Sequence, residues 1–124
     1  MLCELDAPGE YYVVSASEIL FITPDGKQPS GSAVVSVFEH SLVATDLAYV
    51  TFRGIAFQHA RLDGVVATDA QSLVFSDCDF SLNGAGGIVL DGVDSLLSGN
   101  TVRDVGCSAV NVTGYPLLRA ELTA

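Results

Sequence analysis

Three aspartates in the second half of the chain carry the carboxyl group that enzymes use to cleave glycosides. Asp63, Asp69 and Asp91 lie in or beside two short apolar runs, and we predict them as the catalytic residues. A glycosidase places two carboxyl groups roughly 5 to 10 Å apart, one as a general acid and the other as a base or nucleophile. The alternative interpretation is a solvated polar surface, and the choice depends on the elements that carry these residues.

Further polar side chains in the same part of the chain are suited to binding sugar hydroxyls. We predict Arg61, Asn111 and Thr113 as substrate-binding residues, because Arg61 shares a loop with the first carboxylate and the other two belong to a later apolar run. Side chains of these types donate hydrogen bonds, and the amide and hydroxyl also accept them. Such a site needs no cofactor, and none is predicted.

The residues that commonly ligate metals are not spaced for a metal site. Asp77 and Asp79 are close in sequence, but they flank a predicted bend that sends their carboxylates to different sides. Calcium takes six or more oxygen ligands, so no metal is predicted. Cys78 and Cys107 fall at different corners of the repeat described below, so their Cα atoms should exceed the ~7 Å limit for a disulfide.

The elements that position these residues come from one pattern written three times between residues 49 and 114. Aligning the copies at Phe57, Phe80 and Val102 gives two nearly equal steps, from 57 to 80 and from 80 to 102. A fixed period in this range predicts stacked units, each too small to bury a core alone. Apolar or small residues recur at fixed offsets from the three anchors: Phe52, Phe75 and Leu97; Val65, Ile88 and Val110; Ala67, Leu90 and Val112.

The apolar runs within each copy are short and are separated by loops rich in Gly, Asn and Asp. Such runs predict strands of three or four residues. Three strands and three turns in about 22 residues predict one rung of a parallel β-helix, in which each strand pairs with its counterpart one rung away at ~4.8 Å. A leucine-rich repeat has a similar length, but the regular Leu spacing that it needs is absent.

Alternation along the strands assigns their two faces. With Val65, Ile88 and Val110 inward, alternate residues point outward. One outward row is Thr68, Asp91 and Thr113, and the other is Val66, Val89 and Asn111.

The chain before residue 49 predicts a hairpin and an irregular rung. Apolar runs at 10–14 and 19–22 flank a short polar turn, which is typical of a β-hairpin. Runs at 34–37 and 42–45 fit an imperfect rung, since subtracting 22 from Phe57 and Val65 gives Val35 and Val43. We therefore expect an all-β chain with a hairpin cap at 1–32, about four rungs at 33–114 and an incomplete tail at 115–124. Each rung should hold about 22–23 residues, which is within the usual range of solenoid repeats.

Charge and hydropathy exclude some classes of partner. The net charge is −10, with only five Lys and Arg in 124 residues. Nucleic acid and anionic membrane reward clustered basic residues, so neither is expected. No stretch approaches the ~20 apolar residues of a membrane span.

The order of these segments resembles a known superfamily. PGEYY at residues 8–12, the second strand at 19–22, Pro24 and YVTFRGIAF at 49–57 resemble the opening of right-handed parallel β-helix proteins of the pectate-lyase-like superfamily. The resemblance covers roughly residues 7–114 and implies a right-handed helix. In that fold a tight bend often holds stacked Asn side chains; Asn100 fits this role, with Ile55 and Cys78 as apolar substitutes. No catalytic motif matches residue by residue.

The resemblance implies a polysaccharide partner and a secreted or cell-surface location for the full-length protein. One hypothesis is the N-terminal part of a polysaccharide hydrolase or lyase, which we expect to be inactive as this fragment alone. The alternative is a non-catalytic module for glycan binding or surface attachment. Fold alone does not choose between them. Free strand edges on the last rung also predict self-association through the C-terminal end.

Overall fold

The computed structural model describes residues 6–15, 18–27, 32, 34–114 and 119–122. The chain divides into two compact units, residues 1–33 and 34–124, which are taken separately below. Every regular element in the described ranges is a β-strand. The boundaries of hairpin cap, rungs and tail drawn from the sequence remain a prediction.

The first unit contains the predicted hairpin. Strands β1 (Tyr11–Ser15) and β2 (Glu18–Phe21) pair in antiparallel register, with Tyr11 opposite Phe21. The carboxylate of Glu10 closes the turn before β1, because its Oε2 accepts hydrogen bonds from the backbone N–H groups of Ala7 and Asp6, each at 2.9 Å. These two bonds favour the charged form and hold the pKa of Glu10 below its ordinary value.

The second unit is a parallel β-solenoid made of three sheets. Sheet I contains β3 (Leu42–Thr45), β6 (Val65–Gln71), β9 (Ile88–Val93) and β11 (Val110–Thr113). Sheet II contains β4 (Thr51–Arg53), β7 (Val74–Ser76), the first part of β10 (Leu96–Arg103) and β12 (Arg119–Leu122). Sheet III contains β5 (Ala56–Gln58), β8 (Asp79–Ser81) and the last part of β10. The all-β parallel solenoid with an N-terminal hairpin is thus confirmed.

The predicted register is also confirmed. Ile88 pairs with both Val65 and Val110, and Phe80 pairs with both Phe57 and Val102, always between parallel strands. The solenoid has about three rungs rather than four, because the four strands of sheet I bound three complete rungs. The strands β11 and β12 begin a fourth rung, so the segment expected to be a tail carries one more strand of sheet II.

The first rung differs from the sequence-based alignment by one residue. Leu42, not Val43, pairs with Val65, so the side chain of Val43 points outward and is 62% exposed. Residues 34–37 form no strand, and Val35 is equally exposed. The alignment used a step of 22 residues, whereas the step from Leu42 to Val65 is 23 residues. A slip of one residue exchanges the two faces of a strand.

A bulge at Asp69 explains why two steps occur. Ala67 pairs with Leu90, a step of 23, whereas Ala70 pairs with Gly92, a step of 22, and the register shifts between them. Asp69 has a positive φ of 52°, as an inserted residue in a strand often does. The second rung therefore holds one residue more than the third without displacing its inward side chains.

Two columns of aromatic rings fill the centre of the solenoid. Phe52 and Phe75 stack with centroids 4.8 Å apart, and Phe57 and Phe80 stack at 5.3 Å, both pairs with an interplanar angle of 15°. The columns meet edge to face, with Phe57 and Phe75 6.1 Å apart. Such pairs each add about 0.5 to 1.5 kcal/mol to the burial of apolar surface.

The corners use residues in the left-handed region at intervals of five. The positive-φ positions of successive rungs are Tyr49, Gly54 and His59; Ser72, Asp77 and Leu82; and Asp94, Gly99 and Asp104. Gly and Asp tolerate this conformation best, and bulkier residues adopt it at a cost.

The inward residue after a left-handed position is polar at three corners, and each one bonds to the rung before. Asn100 Oδ1 accepts from the N–H of Cys78 at 2.9 Å, and its Nδ2 donates to the carbonyl of Phe75 at 2.8 Å. Asn83 repeats this geometry with Ala60 and Phe57 at 3.0 and 3.2 Å. The hydroxyl of Ser95 likewise accepts from the N–H of Leu73 at 3.2 Å. These side chains satisfy backbone groups that the strands leave free.

Replacing Asn100 by Ala should lower the free energy of unfolding by about 1 to 3 kcal/mol, because a buried N–H and a buried C=O lose their partners. Thermal and denaturant unfolding measure the change. Asn111→Ala, at an exposed position on β11, is the matched control and should stay within about 0.5 kcal/mol of the parent protein. Equal stabilities for the two variants would contradict a structural role for the Asn100 amide.

Glu10 should make the turn at residues 6–10 sensitive to acid. Because its pKa is lowered in the folded state, its stabilising effect is complete above the ordinary glutamate pKa of about 4.3. The effect is then lost as pH falls through the lowered value. The backbone amide NMR signals of Asp6 and Ala7 should titrate with a midpoint below the ordinary one, and Glu10→Gln should abolish that transition while Glu18→Gln leaves it. A midpoint at or above the ordinary value would refute the contact.

Candidate functional site

The outer face of sheet I carries the polar row predicted from alternation. Asp91 is half-buried on β9 and pairs with Thr113 on β11, while Thr68 pairs with Thr45 on β3. The hydroxyls of Thr68 and Thr45 are 3.3 Å apart and hydrogen-bonded. Within each of these two pairs the in-register strands place the side chains about 4.8 Å apart, whereas the register shifts between Thr68 and Asp91. We call Thr45, Thr68, Asp91 and Thr113 the sheet I polar row.

The row beside it is largely apolar. Val66 pairs with Val43 on one side and with Val89 on the other, and Asn111 continues the row on β11. Asn111 is exposed and lies on the same edge strand as Thr113. The outward residues of these strands include no aromatic ring, so this face offers hydrogen bonds and aliphatic contact rather than a stacking platform.

Asp69 and Asp91 are brought together on neighbouring rungs. Both lie between the pairs Ala67–Leu90 and Ala70–Gly92, and Asp69 is exposed at the bulge. Their strands are adjacent, so the two carboxylates share the end of sheet I that leads into the next corner. The arrangement can supply an acid and a base, or two hydrogen-bond acceptors, to a molecule lying across the rungs.

Asp46 belongs to the same group and was missed in the sequence. It follows Thr45, the partner of Thr68, just as Asp69 follows Thr68, and its φ of 53° matches that of Asp69. Its backbone N–H donates to the carbonyl of Thr68 at 3.1 Å. In the sequence, Asp46 lies 23 residues before Asp69. Aligning the first rung with a step of 22 does not match these two residues.

The structure does not bring Asp63 to this group. Asp63 lies two residues before β6, six residues from Asp69, and an extended strand rises about 3.3 Å per residue. The two therefore lie near opposite ends of the strand, roughly 20 Å apart along it. The carboxylate of Asp63 is already engaged, since its Oδ1 accepts from the N–H of Gly86 at 2.9 Å, and its backbone carbonyl contacts His40 Nδ1 at 3.0 Å.

Arg61 lies in the loop near Asp63, away from Asp69 and Asp91. Its side chain is exposed, and its backbone N–H donates to the carbonyl of Phe38 at 2.9 Å. The next rung packs against this backbone so closely that a Cβ on Gly84 would lie 2.2 Å from the Arg61 carbonyl oxygen. The loop is therefore held by stacking of its backbone, and Gly84 permits that approach.

A second polar cluster lies on the outer face of sheet III and was not anticipated. Gln58, Ser81 and Arg103 are paired across β5, β8 and β10, and Asp79 is the other outward residue of β8. Asp79 Oδ2 accepts hydrogen bonds from Gln58 Nε2 at 2.9 Å, Arg103 Nη2 at 3.0 Å and the Ser81 hydroxyl at 3.3 Å. We call these four residues the sheet III cluster. In the sequence, all four residues directly precede or follow one of the anchors Phe57, Phe80 and Val102, and this is the pattern that could have identified them.

The bend at Cys78 separates Asp77 from Asp79, as the alternation predicted. Asp77 forms an exposed ion pair with Arg53 at 3.2 Å, while Asp79 faces Arg103 at 3.0 Å. Across the described ranges, no group of three or more His, Cys, Asp and Glu side chains is arranged to hold a metal ion. Cys78 is a buried free thiol and Cys107 an exposed one.

Comparisons with protein-family models, with curated proteins and with solved structures returned no match to this chain. The described ranges contain no helical segment with the length and hydropathy of a membrane span. The two polar surfaces of the solenoid are therefore the candidate sites for a ligand.

Proposed function

We propose that the chain is part of a secreted or cell-surface β-solenoid protein that acts on polysaccharide, and that its rungs bind the glycan chain along sheet I. The observation that carries this proposal is the sheet I polar row, in which equivalent polar side chains recur on successive rungs. A surface with a fixed repeat suits a polymer, because each sugar can meet a similar set of partners. The resemblance of residues 7–114 to pectate-lyase-like proteins supports the same class of ligand.

A catalytic role, as a glycoside hydrolase or lyase, is the second function that a specific observation favours. Asp69 and Asp91 are the two predicted carboxylates that lie on adjacent strands. Adjacent strands are ~4.8 Å apart, which is compatible with the roughly 5 to 10 Å between the two carboxyl groups of a glycosidase. The separation of Asp63 from them supports a reaction centre of two carboxylates rather than three. In a binding module the same two groups would accept hydrogen bonds from sugar hydroxyls.

The charge of the protein favours a neutral glycan in either case. The net charge is −10, and Asp46, Asp69 and Asp91 place carboxylates at one end of sheet I. A polyanionic chain would be repelled there. The ligand expected on sheet I is therefore an uncharged polysaccharide.

Asp91→Asn and Asp69→Asn test this function. If the carboxylates bind sugar hydroxyls, each lost charge-assisted hydrogen bond should weaken binding of neutral hexasaccharides about tenfold or more. If they are acid and base, turnover should fall by roughly 10²- to 10⁴-fold. Titration calorimetry and a reducing-end assay measure the two effects. Asp77→Asn is the matched control, since Asp77 is also exposed and has a φ of 54° against 52° for Asp69.

Unchanged binding and turnover in both variants, with the fold intact by circular dichroism, would make the sheet I polar row an ordinary solvated surface. Loss of function in Asp77→Asn to the same degree would show that charge in general, and not this row, is responsible.

Self-association through the C-terminal rung is part of the proposal. In the described part of the chain, β11 pairs only with β9, and residues 101–103 of β10 pair only with β8. Their other edges carry backbone N–H and C=O groups that a strand from a second copy would satisfy.

Sedimentation velocity should accordingly show a dimer that forms as concentration rises. Thr113→Lys, which adds a charge to edge strand β11, should shift the equilibrium toward monomer. Thr68→Lys, on the interior strand β6, should not. A monomer at all concentrations, or equal effects of the two substitutions, would contradict association through this edge.

A further inference from the structure

We infer that the outer face of sheet III carries a second carbohydrate-binding subsite, built on Asp79 and Arg103, which takes a neutral sugar. This inference rests on the proposed function and extends it to a different face of the solenoid. It is carried by the hydrogen-bond pattern of the sheet III cluster.

The inner members of the cluster are held rigidly. Ser81 is fully buried although it lies on the outer face, because neighbouring side chains cover it. Gln58 Nε2 lies 2.9 Å from both Asp79 Oδ2 and Ser81 Oγ, and the Ser81 hydroxyl donates to Asp79. Three side chains from two strands thus form a closed triangle of hydrogen bonds. A binding group whose rotamer is fixed in this way loses little entropy when a ligand arrives.

Only one of the two carboxylate oxygens of Asp79 receives hydrogen bonds from the described residues. Its Oδ2 receives three donors, whereas its Oδ1 is buried and meets no hydrogen-bond partner among the described residues. A buried acceptor without a donor costs free energy. A ligand hydroxyl that displaces part of the Arg103 side chain, which is 51% exposed, would reach this oxygen and supply the missing donor. The cluster therefore has a built-in preference for a molecule that donates hydrogen bonds.

The outer members present the complementary groups. Arg103 donates to Asp79 and to Asp104 Oδ2, the latter at 3.1 Å. A guanidinium has five N–H donors, so others remain for a ligand. In the described part of the chain, both hydrogen bonds of the Gln58 side chain are made by its Nε2, so its Oε1 can accept one from a ligand. Donors and acceptors side by side on adjacent strands match neighbouring sugar hydroxyls, each of which both donates and accepts.

The charges of the cluster select an uncharged sugar. Asp79 and Asp104 carry two negative charges and Arg103 carries one positive charge, so the surface is net negative by one. The adjacent ion pair of Arg53 and Asp77 adds no net charge. A uronate would meet repulsion here, whereas a neutral hexose or pentose would not.

The test is titration of the whole chain with hexasaccharides of β-1,4-linked glucose, β-1,4-linked xylose and α-1,4-linked galacturonate. A neutral hexasaccharide should bind, and Arg103→Gln should weaken that binding at least tenfold. Arg53→Gln, which removes a single exposed ion pair one sheet away, should leave it unchanged. Exposed ion pairs contribute little to stability, so both variants should fold. In the parent protein, the side-chain NH₂ signals of Gln58 should shift during the titration, which tests the subsite without any substitution.

Each outcome decides the matter. The subsite is overturned if Arg103→Gln still binds the neutral hexasaccharide as the parent protein does and the Gln58 signals do not move. If Asp91→Asn then loses that binding, the proposed function on sheet I still stands. Absence of neutral binding by the parent protein at millimolar concentration overturns both. Tighter binding of the galacturonate, lost in Arg103→Gln, overturns the assignment of an uncharged ligand.

Discussion

The rest of this structure depends on the register in which one rung stacks on the next. Every strand of the solenoid takes its ladder hydrogen bonds from neighbouring rungs, so no rung satisfies its own backbone. Once Val65 is set opposite Ile88, the inward columns, the outward rows and the corners all follow, because side chains alternate with a period of two. The same constraint builds the core and aligns the surface groups.

The corners show how the register is held where strands stop. Residues in the left-handed region turn the chain, and the following side chain points inward. Where that side chain is Asn100, Asn83 or Ser95, it bonds to backbone groups of the preceding rung. Buried polar side chains are acceptable here because each of their polar atoms has a hydrogen-bond partner. On the outside, the same stacking places unlike polar groups side by side, and the sheet III cluster is one result.

The periodic part of the fold could be predicted from the sequence, because Phe57, Phe80 and Val102 mark equivalent positions without ambiguity. The first rung could not, since a step of 22 taken from the later rungs does not reveal that this rung, which contains Asp46, is one residue longer. The one-residue slip wrongly placed Val43 on the inward face. Asp46 was missed for the same reason. The sheet III cluster depends on which rotamers Gln58 and Arg103 adopt across three strands, and no pattern along a single strand specifies that.

The bulge at Asp69 has a consequence for how such a chain varies in length during evolution. Rungs of two lengths coexist here because the surplus residue bends outward at one place and leaves the inward columns aligned. Tandem duplication of either unit would therefore insert a complete rung with both faces correctly oriented. A deletion or insertion of one residue elsewhere in a strand would reverse its faces. Within the strands of sheet I, the bulge is thus a position at which one residue can be gained or lost with both faces still correctly oriented.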